Sequence, residues 1–187
     1  MSEGVFDERK QALEDLFFKN QDKALKERYR AAKEIAAQKD ALAQASGIQD
    51  DAVLTHLIEV GLDGQTVAAL TLVPLIEVAW ADQAIERRER QAILEAAQEA
   101  GIKQGSPSAD LLDGWLEHRP GHELLDAWKE YVRELTSQLG ADGAAALRAE
   151  VLGKARQVAE AAGGMLGIGR VNQQEEERLA ELARTFE

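Results

Sequence analysis

The 187-residue chain contains no cysteine. That excludes disulfides, thiolate metal sites and cysteine nucleophiles, and it agrees with a reducing, cytoplasmic setting. Proline occurs only at Pro74, Pro107 and Pro120. The longest apolar runs fall far short of the roughly 20 residues that cross a bilayer, so no integral membrane segment is expected. The opening MSEGVFDERK starts with acids and has no apolar core segment, which speaks against a signal peptide. No serine, histidine and acid stand in a nucleophile-like motif, and no convincing stretch alternates apolar with polar residues at a period of two. Positive charge is also short, with 22 Lys and Arg against 34 Asp and Glu. A surface of that sign repels nucleic-acid phosphates and anionic lipid, so no nucleic-acid partner is expected.

The charge deficit is uneven. Residues 1–46 carry nine basic and nine acidic residues, whereas the remainder carries 13 and 25. This asymmetry predicts two parts with different roles: an N-terminal helical arm over 1–48 and a helical domain over 49–187.

What is abundant is alanine, leucine, glutamate, glutamine and arginine, all good helix formers. The fold class expected is all-α, a bundle of about seven helices with a long arm. Between Val5 and Ser46 there is neither proline nor glycine, and Gly47 is a natural C-terminal stop. Leu13, Phe17, Leu25, Tyr29, Ala32 and Ile35 recur at helical steps, so one long helix or two successive ones fit. The stripe needs a partner surface, in this chain or in another.

Asp50 or Asp51 is positioned to cap a helix running to Val60, and helix continues over Gln65 to Leu70. In LTLVPLIEVAW, Pro74 is tolerated if Thr71 caps a new helix, because first-turn N–H groups have no intrahelical acceptor to lose. Leu72 to Trp80 is apolar almost all round, the pattern of a central buried helix. Further helices are expected over Glu86 to Ala100, from Ser106-Pro107 to His118, over Glu123 to Leu139, from an Asp142 cap to about Leu166, and over Gln173 to Phe186.

Two places share a local pattern. Glu86 is followed three residues later by Glu89, and Asn172 by Glu175. Each reads as a capping box, in which the later glutamate returns a hydrogen bond to the N-cap backbone. A carboxylate there also meets the positive end of the helix dipole.

The segment PLIEVAWADQAIERRERQAILEAAQEAGI, from Pro74 to Ile102, resembles the signature of TerB-like domains, a helical family of tellurite resistance and stress response. Ala79, Ala81, Asp82, Ile85, Glu89 and Arg90 match its pattern, and EAAGGMLGIGRVNQQEEERLAEL resembles the closing half of such domains. The resemblance implies an all-α bundle, a bacterial stress-linked setting and divalent-cation binding through acids of a helix-connecting loop, with Asp82 and Glu89 as ligands. If the loop is tight, Glu86 joins them, and hard oxygens favour Ca²⁺ or Mg²⁺. The chain departs from the family at Gln83, where glycine is usual; a glutamine there is strained if the backbone is left-handed. The N-terminal VFDERKQALEDLFFKNQDKALKER is similar, more weakly, to the start of the zeta-type inhibitor subunit of bacterial ATP synthases.

Other motifs read as structural. His118 and His122 are separated by Pro120-Gly121, which breaks the helix that would align them on a metal. His56 lies among apolar neighbours as a satisfied, partly buried histidine. GGMLGIG, Gly163 to Gly169, lacks the lysine and hydroxyl of a phosphate loop. Trp80, Trp115 and Trp128 lie on apolar faces as anchors.

The function expected is therefore a non-enzymatic, TerB-like binding domain holding Ca²⁺ or Mg²⁺ at Asp82, Glu86 and Glu89 and joining a protein partner or a second copy. The alternatives are a regulatory or inhibitor protein acting through its N-terminal helix, and a hydrolase with a carboxylate-held metal.

Overall fold

The computed structural model describes the backbone of residues 3–162 and 171–187 and the side chains of residues 19, 21–161 and 171–187. Helices α1 (Glu3–Ser46), α2 (Asp51–Glu59), α3 (Val73–Ala79), α4 (Arg87–Glu99), α5 (Pro107–Glu117), α6 (His122–Ala162) and α7 (Gln173–Arg184) follow in order, with a 3-10 turn over Val67–Leu72. No strand occurs among the described residues, and the all-α class is met. No helix among them is long and apolar enough to cross a membrane.

The chain divides into two compact units, Met1–Asp40 and Ala41–Glu187. Helix α1, which runs through the first unit to Ser46, is a single helix rather than two in succession. Residues 21–38 are exposed, including Leu25, Tyr29 and Ile35, with Tyr29 at 73%. The expected division at residue 48 cuts into the second unit, whose core includes the fully buried Leu42 and Ile48.

The second unit is built around α3. Every residue from Val73 to Ala79 is buried, as the apolar run predicts. Helix α3 packs against the 3-10 turn, α4, α6 and α7. Pro74 sits in its first turn, where no hydrogen bond is lost. Thr71 does not cap it, contrary to expectation: its hydroxyl donates to the Ala68 carbonyl at 2.8 Å, and the N-cap position is Leu72 with no side-chain bond. The preceding 3-10 turn already feeds its own backbone into α3, so no side-chain cap is needed to start it.

Around this helix the local signals act as polar chemistry requires. Asp50, not Asp51, caps α2, accepting the Ala52 and Val53 N–H groups at 2.9 Å each. Ser106 caps α5 by accepting the Ala109 N–H, with Pro107 next. Trp115 and Trp128 are buried, and the half-buried Trp80 donates its Nε1–H to the Trp115 carbonyl at 2.9 Å, tying the end of α3 to α5.

Helix α6 departs from expectation. The break falls directly after the expected end at Leu139, at Gly140 with φ 68° and ψ 176°, but no Asp142 cap restarts the helix. Only glycine holds that conformation without strain, so the chain bends there and helix resumes at once. Residues 122–139 and 141–162 form two limbs of one kinked element. The GGMLGIG motif lies outside the described residues.

Candidate functional site: paired carboxyls at two helix starts

Helix α3 ends at Trp80, and the chain turns through Ala81 to Ile85 before α4 begins. Gln83 lies in this turn with φ 75°, the sole non-glycine with positive φ among the described residues. The turn thus has the left-handed backbone that glycine would take freely. Asp82 supports it by accepting the Ala84 N–H at 3.3 Å.

Both capping boxes form. Glu89 accepts the Glu86 N–H at 2.7 Å, and Glu86 closes its side of the box more loosely. At the second start, Glu175 accepts the Asn172 N–H at 2.7 Å, and Asn172 accepts the Glu175 N–H at 2.9 Å. The two boxes are 86 positions apart in sequence, yet the tertiary fold sets them face to face. Asp82 reaches across to accept from the Asn172 side-chain amide at 3.4 Å.

Between the boxes, the Glu89 and Glu175 carboxyls are hydrogen-bonded to each other. Both are almost fully buried, at 2% and 3% exposure. Two carboxylates cannot share such a bond; one must carry the proton. It is Glu89: burial, reinforced by the neighbouring charges of Glu175, Asp82 and Glu86, pushes its carboxyl up to about 8. Glu175 is raised too, mainly by burial, but the bond from Glu89 and the Asn172 N–H hold it lower. The backbone N–H groups at each helix start are dipoles suited to a carboxylate, yet desolvation outweighs them for Glu89.

Of the residues expected at this site, Asp82, Glu86 and Glu89 are brought to one region, with Asp82 and Glu86 exposed and Glu89 buried. Glu175, expected only as a capping residue, proves to be the direct partner of Glu89. Its signal was the repeated box motif. Among the described residues, no group of three or more His, Asp or Glu side chains is set around a point where a metal ion could be held. None of the four acids forms an ion pair with a described Lys, Arg or His. The chemistry available to the arrangement is the holding of one positive charge, at present a proton, between two anchored carboxyls.

A second polar feature escaped sequence reasoning. Glu77 is buried on α3, and Arg178 of α7 approaches it at 3.7 Å. Arg178 also pairs with Glu181 at 2.7 Å, and Glu181 with Lys129 of α6 at 2.8 Å. Burial raises the Glu77 carboxyl while Arg178 and Arg119 oppose the rise. A lone acid in an otherwise apolar helix was the available signal, since a buried charge demands a partner. His56 is half-buried and bonded to Glu130 at 2.8 Å, a satisfied histidine as expected. His118 and His122 are exposed on either side of the helix break.

Comparison with family models, with curated proteins and with solved structures returns no match for this chain.

The shared proton makes stability pH-dependent with a definite sign. Below the ordinary carboxylate range, folded and unfolded chains both hold the Glu89 proton. As pH rises the unfolded chain releases it first, while the folded chain keeps it to about 8. Stability therefore falls across that window and levels off above it. Glu89→Gln, which keeps the shape and a donor toward Glu175, is expected to flatten this slope in urea melts taken below and above the window; an unchanged slope would remove Glu89 as its source. Separately, Gln83→Gly is expected to raise stability by about 0.5–1 kcal/mol, the left-handed penalty less the added freedom of the unfolded chain. A loss of stability in the same melts would contradict a left-handed turn at that position.

Proposed function

We propose that this chain is a non-enzymatic helical binding domain of the TerB-like kind. On this reading it recruits a protein partner and takes a divalent cation, Ca²⁺ or Mg²⁺, in place of the proton between Glu89 and Glu175. The observation that carries it is the pairing of these two buried carboxyls with Asp82 and Glu86 beside them and no basic side chain against any of the four. Negative charge concentrated this way draws in protons or cations, and hard carboxylate oxygens suit Ca²⁺ and Mg²⁺. Loss of the Glu89 proton frees the oxygens for such an ion, and the exposed Asp82 and Glu86 add negative charge beside it. The resemblance of Pro74 to Ile102 to TerB-like domains supports the same reading, and the setting that goes with it is cytoplasmic and stress-linked.

Thermal melts of the full chain above pH 8, with and without each ion, test the cation. Binding to the folded state alone raises the melting temperature with ion concentration. The rise should vanish in Glu89→Gln, and no rise with either ion sinks the cation role.

A second reading is favoured by the arm. Leu25 and Tyr29 stand exposed one turn apart on one helix, and apolar side chains spaced this way mark a face for a partner helix or groove. In this reading the chain regulates or inhibits its partner through α1. Leu25→Ser with Tyr29→Ser should then weaken partner capture while leaving the melting temperature unchanged, because these side chains bury little. Capture undiminished in that double variant rules the arm out as the recruiting element.

A further inference from the structure

The kink in α6 leaves a space beneath it. The first limb turns Trp128, Tyr131, Val132 and Leu135 toward this space, a stripe at helical spacing. The second limb turns Leu147 and Val151 toward the same space. Leu72 and Leu75 form its floor, and Ala96 and Ala100 of α4 its side. The cavity so enclosed has a volume of about 330 Å³, within the range of small-molecule sites.

The apolar part of the α4 wall is made of short side chains. Ala96 and Ala100 stand where leucines would fill the gap. Protein interiors otherwise pack to the density of organic crystals, and a void forfeits dispersion contacts. An apolar guest would restore them.

The mouth specifies the guest's charge. Glu99, Glu150 and Lys154 line it. Lys154 is already paired with Glu150 at 3.1 Å, whereas Glu99 forms no ion pair with any described residue. The Tyr131 hydroxyl has no hydrogen-bond partner among the described residues. One uncommitted carboxylate and one uncommitted hydroxyl oxygen are both acceptors. The unit around them, residues 41–187, holds 25 acidic against 13 basic residues, so the wider field also favours a cation.

We propose that this cavity is a binding site for an organic monoamine. The apolar body fills the space between the limbs of α6, and the ammonium group stays at the mouth, donating to Glu99 and to the Tyr131 hydroxyl oxygen. Anions of the same shape are disfavoured by Glu99 and Glu150. Polyamines are disfavoured because a second charge would enter the apolar walls. The enclosure by four elements and the size of the space fit a small molecule better than the face of a partner helix.

The test compares decylammonium, decanol and decanoate, at equal concentrations below micelle formation, on the melting temperature of the full chain. Decylammonium should stabilise most, decanol less and decanoate least, with about tenfold tighter binding of the amine than of the carboxylate, as one partly screened charge pair supplies. Glu99→Gln, a surface change that leaves the fold alone, should bring the amine down to the alcohol. Ala96→Leu, which narrows the cavity, should weaken the response to all three. No shift with any of them, an equal shift from all three head groups, or an amine response undiminished in Ala96→Leu overturns the proposal. So does displacement of the amine only by an amphipathic peptide that binds with comparable affinity in Ala96→Leu, which would assign the face to a protein.

Discussion

A helix with no solvent-facing side cannot stand at a surface, and α3 is such a helix. From Val73 to Ala79 every residue is buried, so the 3-10 turn, α4, α6 and α7 are obliged to enclose it. Burial of each large apolar side chain contributes about 1.5–3 kcal/mol, and α3 supplies Val73, Leu75, Ile76 and Val78 in two turns. The kink at Gly140 belongs to the same constraint. A straight helix over His122–Ala162 would run past the core; bent, its two limbs both return to it.

Enclosing α3 brings its one acid, Glu77, inside, where it must be met by charge. Arg178, Glu181 and Lys129 meet it in sequence, linking α3, α7 and α6. A few ångströms away in chain terms, the turn after α3 launches α4 with a capping box, and α7 begins with another. Because α4 and α7 both lie in the shell around α3, their first turns meet, and with them Glu89 and Glu175. The candidate site is thus a by-product of how the central helix is covered, and its electrostatics follow from burying two carboxyls that each already serve a helix start.

The same shell is unevenly filled. Where α4 presents Ala96 and Ala100 to the two limbs of α6, the cavity beside Tyr131 is left open. Fixed charge at its mouth is acidic, as is the surface of the unit as a whole. Two features of one fold, a buried pair of acids and an acidic-rimmed apolar cavity, are therefore negative for the same compositional reason.

Local devices were legible in residue order. Asp50, Ser106-Pro107, Asn172 with Glu175, and Glu86 with Glu89 all work within four residues of themselves, so their spacing is sufficient to read them. So was the burial of α3, since an all-apolar run has no other stable place. At Gln83 the residue type argued against a left-handed backbone, yet the turn adopts a positive φ there. The break after Leu139 was legible as well; only the Asp142 cap is not met, because an aspartate beside glycines looks the same whether it caps a helix or rides inside one.

What only the tertiary structure decided is which distant residues meet. Glu89 with Glu175, Glu77 with Arg178, and the stripes of α6 across the cavity are separated by many residues in the chain. Helical period tells which side of a helix is apolar, but not which neighbour covers it or how closely. Desolvation and shared protons depend on that closeness. The chain order therefore determined the helices, their ends and their buried faces, and packing around α3 alone determined the chemistry of the acids and the empty space.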